Sequence, residues 1–179
     1  IVTFMNKFDR DAMDPFELID NVEKICSIQC IPMNWPIGDG VEFKGIYDRK
    51  TKTIIKFNKN GKSYLDHDVI NFNDMAHLKE LNIFSEDDLN KLNEDLEMLE
   101  GLIPNLDSSE FLSGIQTPLF FGSALFSFGV KELVDHMAKF SPSPIKREVI
   151  LPPYTAHAEK KFIEPEDKLF SGFVFKIQA

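Results

Sequence analysis

Apolar and polar positions along the chain follow two rhythms, one of strands and one of helices. Ile1-Val2-Thr3-Phe4-Met5 is a continuous apolar run with β-branched residues, which predicts a strand buried on both faces. Polar Asn6-Lys7-Phe8-Asp9 follows, and then Asp14-Pro15-Phe16-Glu17. There Asp14 is placed to cap a helix, Pro15 suits its first position, and Glu17 stands where a capping box puts its acid. Leu18, Ile19, Val22, Ile25 and Cys26 recur at helical spacing and predict one apolar stripe against a sheet. Strand, loop and capped helix together read as the first half of a βα unit.

From Ile28 the rhythm shortens. Ile28–Pro32 predicts a short strand, and 35–40 (Trp-Pro-Ile-Gly-Asp-Gly) a turn-rich loop. Phe43–Tyr47 and Thr53–Phe57 are β-prone runs around the charged Asp48–Lys52, a hairpin with a solvated tip. Residues 58–82 are polar and yield no element. Ser85 then caps a longer helix carrying Leu89, Leu92, Leu96, Leu99 and Ile103 in one stripe, too short for a coiled coil.

Thr117-Pro118-Leu119-Phe120-Phe121-Gly122 predicts a second buried strand. Ser123-Ala124-Leu125 follows it, then a helix through Val130, Leu133, Val134, Met137 and Phe140, so a second βα unit is expected. Ser141-Pro142-Ser143-Pro144 stops that helix. Residues 141–168 are Pro-rich and aperiodic and read as a linker, while Phe170–Gln178 alternates like a strand. The fold class expected is α/β.

Composition narrows the classes. The chain has 179 residues, 43% of them hydrophobic and 17 of them Phe, ample material for a packed core. Twenty Lys and Arg against 29 Asp and Glu give a formal charge of −9, which argues against a phosphate-coating surface and against DNA as partner and leaves room only for a local basic patch. Lys160-Lys161 and Arg49, Lys50 and Lys52 at the hairpin tip are the short runs available for one. Cys26 and Cys30 match neither a zinc framework nor a disulfide scaffold, and both read as buried and inert in a reducing, cytoplasmic setting. No membrane span or signal peptide is recognisable. The opening apolar run, without an initiator methionine, leads us to expect a strand cut from a longer chain.

The residues with most chemistry follow the two buried strands. Asn6-Lys7-Phe8-Asp9 is an N-K-x-D pattern, and its residue types suit guanine. Guanine presents two adjacent donors, N1–H and the exocyclic amine, and one carboxylate accepts both, a role for Asp9. Adenine has the wrong polarity there, and a site built on such bonds rejects the mismatch by roughly 10⁴ or more. Asn6 would bond the N7 side and brace the neighbouring loop, Lys7 would lay its methylene stem along the ring or ribose, and backbone N–H groups of Ser123-Ala124 would meet O6. Both loops would then lie outside the carboxyl ends of strands, where open α/β sheets bind ligands. The bland alternative makes Asn6 and Asp9 ordinary turn and cap residues.

A phosphate loop, G-x-x-x-x-G-K-[ST], has two near misses. Gly40 to Gly45 has the glycine spacing but continues Ile46-Tyr47, and Gly61-Lys62-Ser63 has the ending but Lys56 in place of the first glycine. Both are expected to be turn glycines. No Asp-x-x-Gly occurs. His67, His77, His136 and His157 show no metal-ligand spacing, and Asp66-His67-Asp68 reads as a polar loop.

In order along the chain, Asn6–Asp11, Asp14–Asp20, Trp35–Gly38, Phe43–Gly45, Glu110–Gly114, Thr117–Leu125, Phe128–Val130 and Phe170–Ala179 resemble the bacterial translational GTPases of the peptide chain release factor three family. Residues 48–108 match loosely. Elongation factor G shares the guanine loops and the Pro-Ile-Gly turn, but the Asp-Pro-x-Glu-Leu helix and the closing Phe-Val-Phe-Lys-Ile-Gln-Ala run are nearer the release factor. The resemblance implies that 1–140 are the later part of a P-loop GTPase domain, with a β-hairpin and helical insertion at about 40–105. It implies that 141–168 are a linker and that 169–179 begin a β-barrel second domain. It implies binding of GTP and GDP, with guanine held by Asn6, Lys7, Asp9, Ser123, Ala124 and Leu125. Mg²⁺ and the phosphates would be held by parts that precede this stretch in the family, so the chain alone is expected to lack GTPase activity. The implied partners of the parent protein are the ribosome and the stop-codon-reading release factors, which it would dissociate after peptide release. An elongation-factor-G-like GTPase and a non-enzymatic ribosome-interaction module are the alternatives.

Overall fold

The apolar runs at either end of the first 140 residues become neighbours. In the computed structural model, which describes residues 1–57, 67–150 and 160–178, β1 (Thr3–Met5) and β2 (Gln29–Pro32) both pair in parallel with β7 (Gln116–Phe121), in the order β1-β7-β2. All six residues of β7 are buried, as the central strand of a parallel sheet requires. The chain divides into two units, Ile1–Phe140 and Ser141–Ala179.

In the first unit, β1 leads to α1 (Pro15–Cys26). Asp14 caps it through bonds from the amides of Phe16 (2.9 Å) and Glu17 (3.4 Å), and Pro15 takes the first turn. Ser27 ends it in the left-handed region. The stripe is narrower than its spacing suggests: Ile19 is buried, Leu18 and Val22 are half-buried, and Ile25 and Cys26 are exposed. Cys26 is therefore not the inert buried thiol expected, because α1 has rotated past its contact by its last turn. Cys30, in β2, is buried, and burial, then Glu23 and Cys26, push its thiol up to about 11.

A second sheet of four antiparallel strands follows, in the order β3-β4-β5-β6. It comprises β3 (Asn34–Ile37), β4 (Gly45–Asp48), β5 (Thr53–Phe57) and β6 (His67–Asn71). The expected hairpin is β4 and β5. The first half of the expected loop at 35–40 belongs to β3, which tolerates Pro36 because it lies at the edge of the sheet. The polar stretch holds β6, recruited by full-length pairing with β5, and α2 (Met75–Leu81). His67 and Asp68 lie within β6 and so do not form a loop. Gly61-Lys62-Ser63 and His157 lie outside the described residues. Gly40 sits at a 3₁₀ turn, whereas Gly45 is a strand residue whose missing Cβ would stand 2.3 Å from the Ile55 carbonyl oxygen.

α3 (Glu86–Leu102) carries a complete capping box between Ser85 and Asp88 and buries Leu89, Leu92, Leu96 and Leu99. The short α4 (Ser108–Ser113), capped by Asp107 and ended by Gly114 at φ +80, precedes β7. α5 (Val130–Phe140) closes the unit, but His136 is its buried residue, while Val134 and Met137 are exposed.

One side chain joins the two sheets. Asn34 is fully buried, accepts the Phe121 N–H through Oδ1 (2.7 Å) and donates Nδ2 to the Phe121 carbonyl (3.1 Å). The carboxamide thus copies a strand partner for the last residue of β7, after β2 has ended. Around it packs the core of Phe8, Trp35, Ile37, Phe43, Ile46, Tyr47, Ile54 and Phe121, with the leucines of α3.

In the second unit, the stretch read as linker contains an antiparallel pair, β8 (Arg147–Ile150) with β9 (Lys160–Ile163). Ion pairs from Lys146 to Glu164 (2.7 Å) and from Lys160 to Glu148 (2.5 Å) accompany it. The alternating run Phe170–Gln178 forms no strand. A strand exists by its ladder, and no described residue pairs with this one, so Phe170, Phe173, Phe175 and Ile177 are 87–99% exposed.

Candidate functional site

The register of β1 on β7 sets Met5 opposite Phe121, so both strands end at one level. Asn6–Arg10 leaves the end of β1 and Gly122–Gly129 the end of β7. Asn6 joins them: its Oδ1 accepts the amide of Lys7 (2.8 Å) and the amide of Ala124 (2.9 Å). That second bond spans 118 residues of sequence, and it performs the bracing expected of Asn6.

Three features fix the first loop. Lys7 holds a left-handed backbone at φ 77, which costs a non-glycine residue about 1–3 kcal/mol and is retained where surrounding contacts impose it. The turn closes with the Arg10 amide on the Lys7 carbonyl at 3.0 Å. Phe8, the variable position of the N-K-x-D pattern, is 2% exposed and packs edge-on against Phe121 with ring centres 5.2 Å apart. Its amide bonds the Gly122 carbonyl (3.1 Å), and its carbonyl accepts the Gly40 amide (2.9 Å). Lys7 and Asp9 are thereby presented on either side of an anchored ring. Lys7 is exposed and Asp9 half-exposed, and among the described residues neither side chain makes a hydrogen bond or ion pair.

The second loop is equally determined. Gly122 admits no side chain, since a Cβ would stand 2.1 Å from the Phe128 carbonyl oxygen. Ser123, fully buried, exchanges both backbone bonds with Phe128 at 2.9 Å, and its hydroxyl accepts the Phe126 amide at 3.4 Å. The Ser123 and Ala124 amides, expected to face O6, are thus engaged within the protein. Leu125, 73% exposed, has an amide with no partner among the described residues.

The arrangement offers a free carboxylate at Asp9, the Asn6 carboxamide NH₂ and the Leu125 N–H at the carboxyl end of the parallel sheet. Those groups suit a planar heterocycle that presents a pair of donors and a pair of acceptors. The rim is open. A recess of about 250 Å³ beside it is lined by Asn6, Lys7, Phe8 and Arg10 but not by Asp9 or by 123–125. A larger recess, about 530 Å³, lies elsewhere, at Arg49, Glu100 and Phe140.

Among the described residues no three His, Cys, Asp or Glu side chains gather as a metal group, and no helix is long and apolar enough to cross a membrane. Of the hairpin-tip basic residues, Arg49 is buried and Lys52 is paired with Glu100 at 2.6 Å, which leaves Lys50, close over the Phe140 ring. Phe8, Asn34 and Gly122 hold the site and carry no individual mark in the sequence.

No family model matches the chain. Its fold resembles solved structures, among them the crystal structure of a protein from Thermus thermophilus, with a TM-score of 0.50 at 13% identity over 80% of this chain. The chain spans 22% of that protein's length. This likeness concerns the fold: a mixed α/β chain with several sheets and five helices among the described residues.

Proposed function

We propose that this chain is the guanine-reading part of a translational GTPase that acts in termination and promotes departure of the stop-codon-reading release factors from the ribosome after peptide release. The observation that carries the reading is the 2.9 Å bond from the Ala124 amide to Asn6 Oδ1, which ties the two loops expected to read guanine. The parallel pairing of β1 and β7 and the likeness to a larger solved structure support the domain type. The termination role rests on the ordered sequence resemblance.

In this reading the Asp9 carboxylate accepts N1–H and the 2-amine of guanine, the Asn6 NH₂ reaches the N7 side, and the Leu125 N–H serves O6. The methylenes of Lys7 cover one face of the base. The donor set fits the base. For Mg²⁺ and the phosphates the described residues offer no strand-to-helix glycine loop with a Lys and a hydroxyl, so no hydrolytic step is assigned to residues of this chain.

The test is equilibrium titration of the full-length protein with GDP, ADP and xanthosine diphosphate. Asp9→Asn replaces one acceptor by an NH₂ donor, which suits the C2 carbonyl of xanthine. Loss of GDP affinity by about 10² and a gain for the xanthine nucleotide are expected. Equal affinity of the unaltered protein for GDP and ADP would sink the assignment.

A further inference from the structure

The loop that would serve O6 rests on the second sheet through a pair of stacked rings. Phe128, whose backbone clasps Ser123, lies parallel to Phe57 at the end of β5, with ring centres 4.1 Å apart and planes 13° apart. Phe43 packs on both, at 5.8 Å from Phe57 and 5.7 Å from Phe128, and Phe126 stacks on the outer side of Phe128 at 5.7 Å. Phe57 is 7% exposed and tied to its sheet by its amide on the Lys44 carbonyl at 2.9 Å. The Phe128 backbone has little room to adjust, because its carbonyl oxygen occupies the space a Cβ at Gly122 would need. Moving the Phe57 ring therefore displaces Phe128, and with it Ser123 and the turn that exposes the Leu125 amide.

We propose that Phe57 is a positioning residue for the nucleotide site: the four-stranded sheet sets, through the Phe57–Phe128 stack, the conformation of the loop that meets the six-position of the base. This rests on the guanine reading above. It also makes the linkage reciprocal, so a load that shifts β5 changes nucleotide affinity, and bound nucleotide resists that shift.

The test compares GDP, inosine diphosphate and ADP in the full-length protein for Phe57→Ala and Phe57→Leu, with thermal melts to establish folding. Inosine diphosphate shares O6 and N1–H with GDP but lacks the 2-amine, so it removes one of the two bonds to Asp9 and leaves the contact of the second loop with O6 in place. Phe57→Ala should weaken GDP and inosine diphosphate by the same factor, about three- to tenfold, with the leucine variant intermediate. Amide hydrogen exchange at Ser123 and Phe128 should accelerate while Leu119 in β7 stays protected. An Asp9→Asn control should instead change the ratio between the two nucleotides. Unchanged affinity in a folded Phe57 variant overturns the proposal, as does a changed GDP to inosine diphosphate ratio. If the alanine variant fails to fold, the leucine variant decides by the same readings. A wild-type protein that does not prefer GDP over ADP overturns the guanine reading itself, and the proposal with it; wild-type preference with no effect at Phe57 overturns the proposal alone.

Discussion

Arg49 stands in a charged run at a hairpin tip, where a solvated side chain is expected, yet it is 7% exposed. Its guanidinium donates to the carbonyls of Leu99, Ile103 and Pro104 and to Glu100, clasping the last turn of α3 and the segment that follows it. Arg49→Ala should cost about 2–4 kcal/mol, read as a fall in the urea midpoint, and Arg49→Lys should recover less than half, because one ammonium cannot span those carbonyls. His136 is the converse case, a buried base packed among Phe111, Phe120 and Phe140 with an unpartnered Nε2. Burial, then Lys50, holds its imidazole below its ordinary value of 6.5. The unfolded chain therefore takes up a proton first, and the stability that His136 contributes is complete above that value and is lost as pH falls below it. His136→Phe should flatten the pH dependence of the melting temperature just below about pH 6.5, and an unchanged slope would refute the assignment. At this scale N-K-x-D after a buried strand singled out Asn6 and Asp9 as candidates, and the structure ties Asn6 to the second loop. Asn34 was not singled out: a polar residue in an apolar run acquires its role only when β7, remote in sequence, lies beside it.

Helices announced themselves better than strands. α1 and α3 carry caps and stripes within one stretch of chain, and Ser85→Ala should cost about 1 kcal/mol in chemical denaturation, since it removes half of a capping box. α4 had a usable signal too, Asp107 before it and Gly114 after it, but six residues bury only Phe111 and leave no periodicity to read. β3 and β6 are made by their partners. Pro36 looks like a turn residue until the edge position of its strand is known, and the polar β6 is drawn into the sheet by β5. The pair β8 and β9 hid in a Pro-rich stretch for the same reason, while the well-patterned Phe170–Gln178 found no ladder.

Taken whole, the buried residues among those described fall within the first unit, from Phe8 to His136. Removing 141–179 should therefore leave the melting temperature of the remainder within about 2 °C, a smaller change than loss of even 1 kcal/mol would give. The α/β class was legible because two βα units repeat one pattern, whereas the joining of the sheets through Asn34 and the stack under the second loop depend on contacts no local window contains. The single tryptophan of the chain lies where those contacts converge. Trp35 is fully buried, packs on Phe16 at 4.5 Å and on Phe121 at 5.5 Å, and donates its indole N–H to Asp95 at 2.9 Å. Phe121 touches Phe8, so the molecule contains a built-in fluorophore one ring away from the loop of Asp9. A rearrangement there reaches the indole through the Phe121 ring, so on the proposed guanine reading intrinsic emission should change on nucleotide addition without any label.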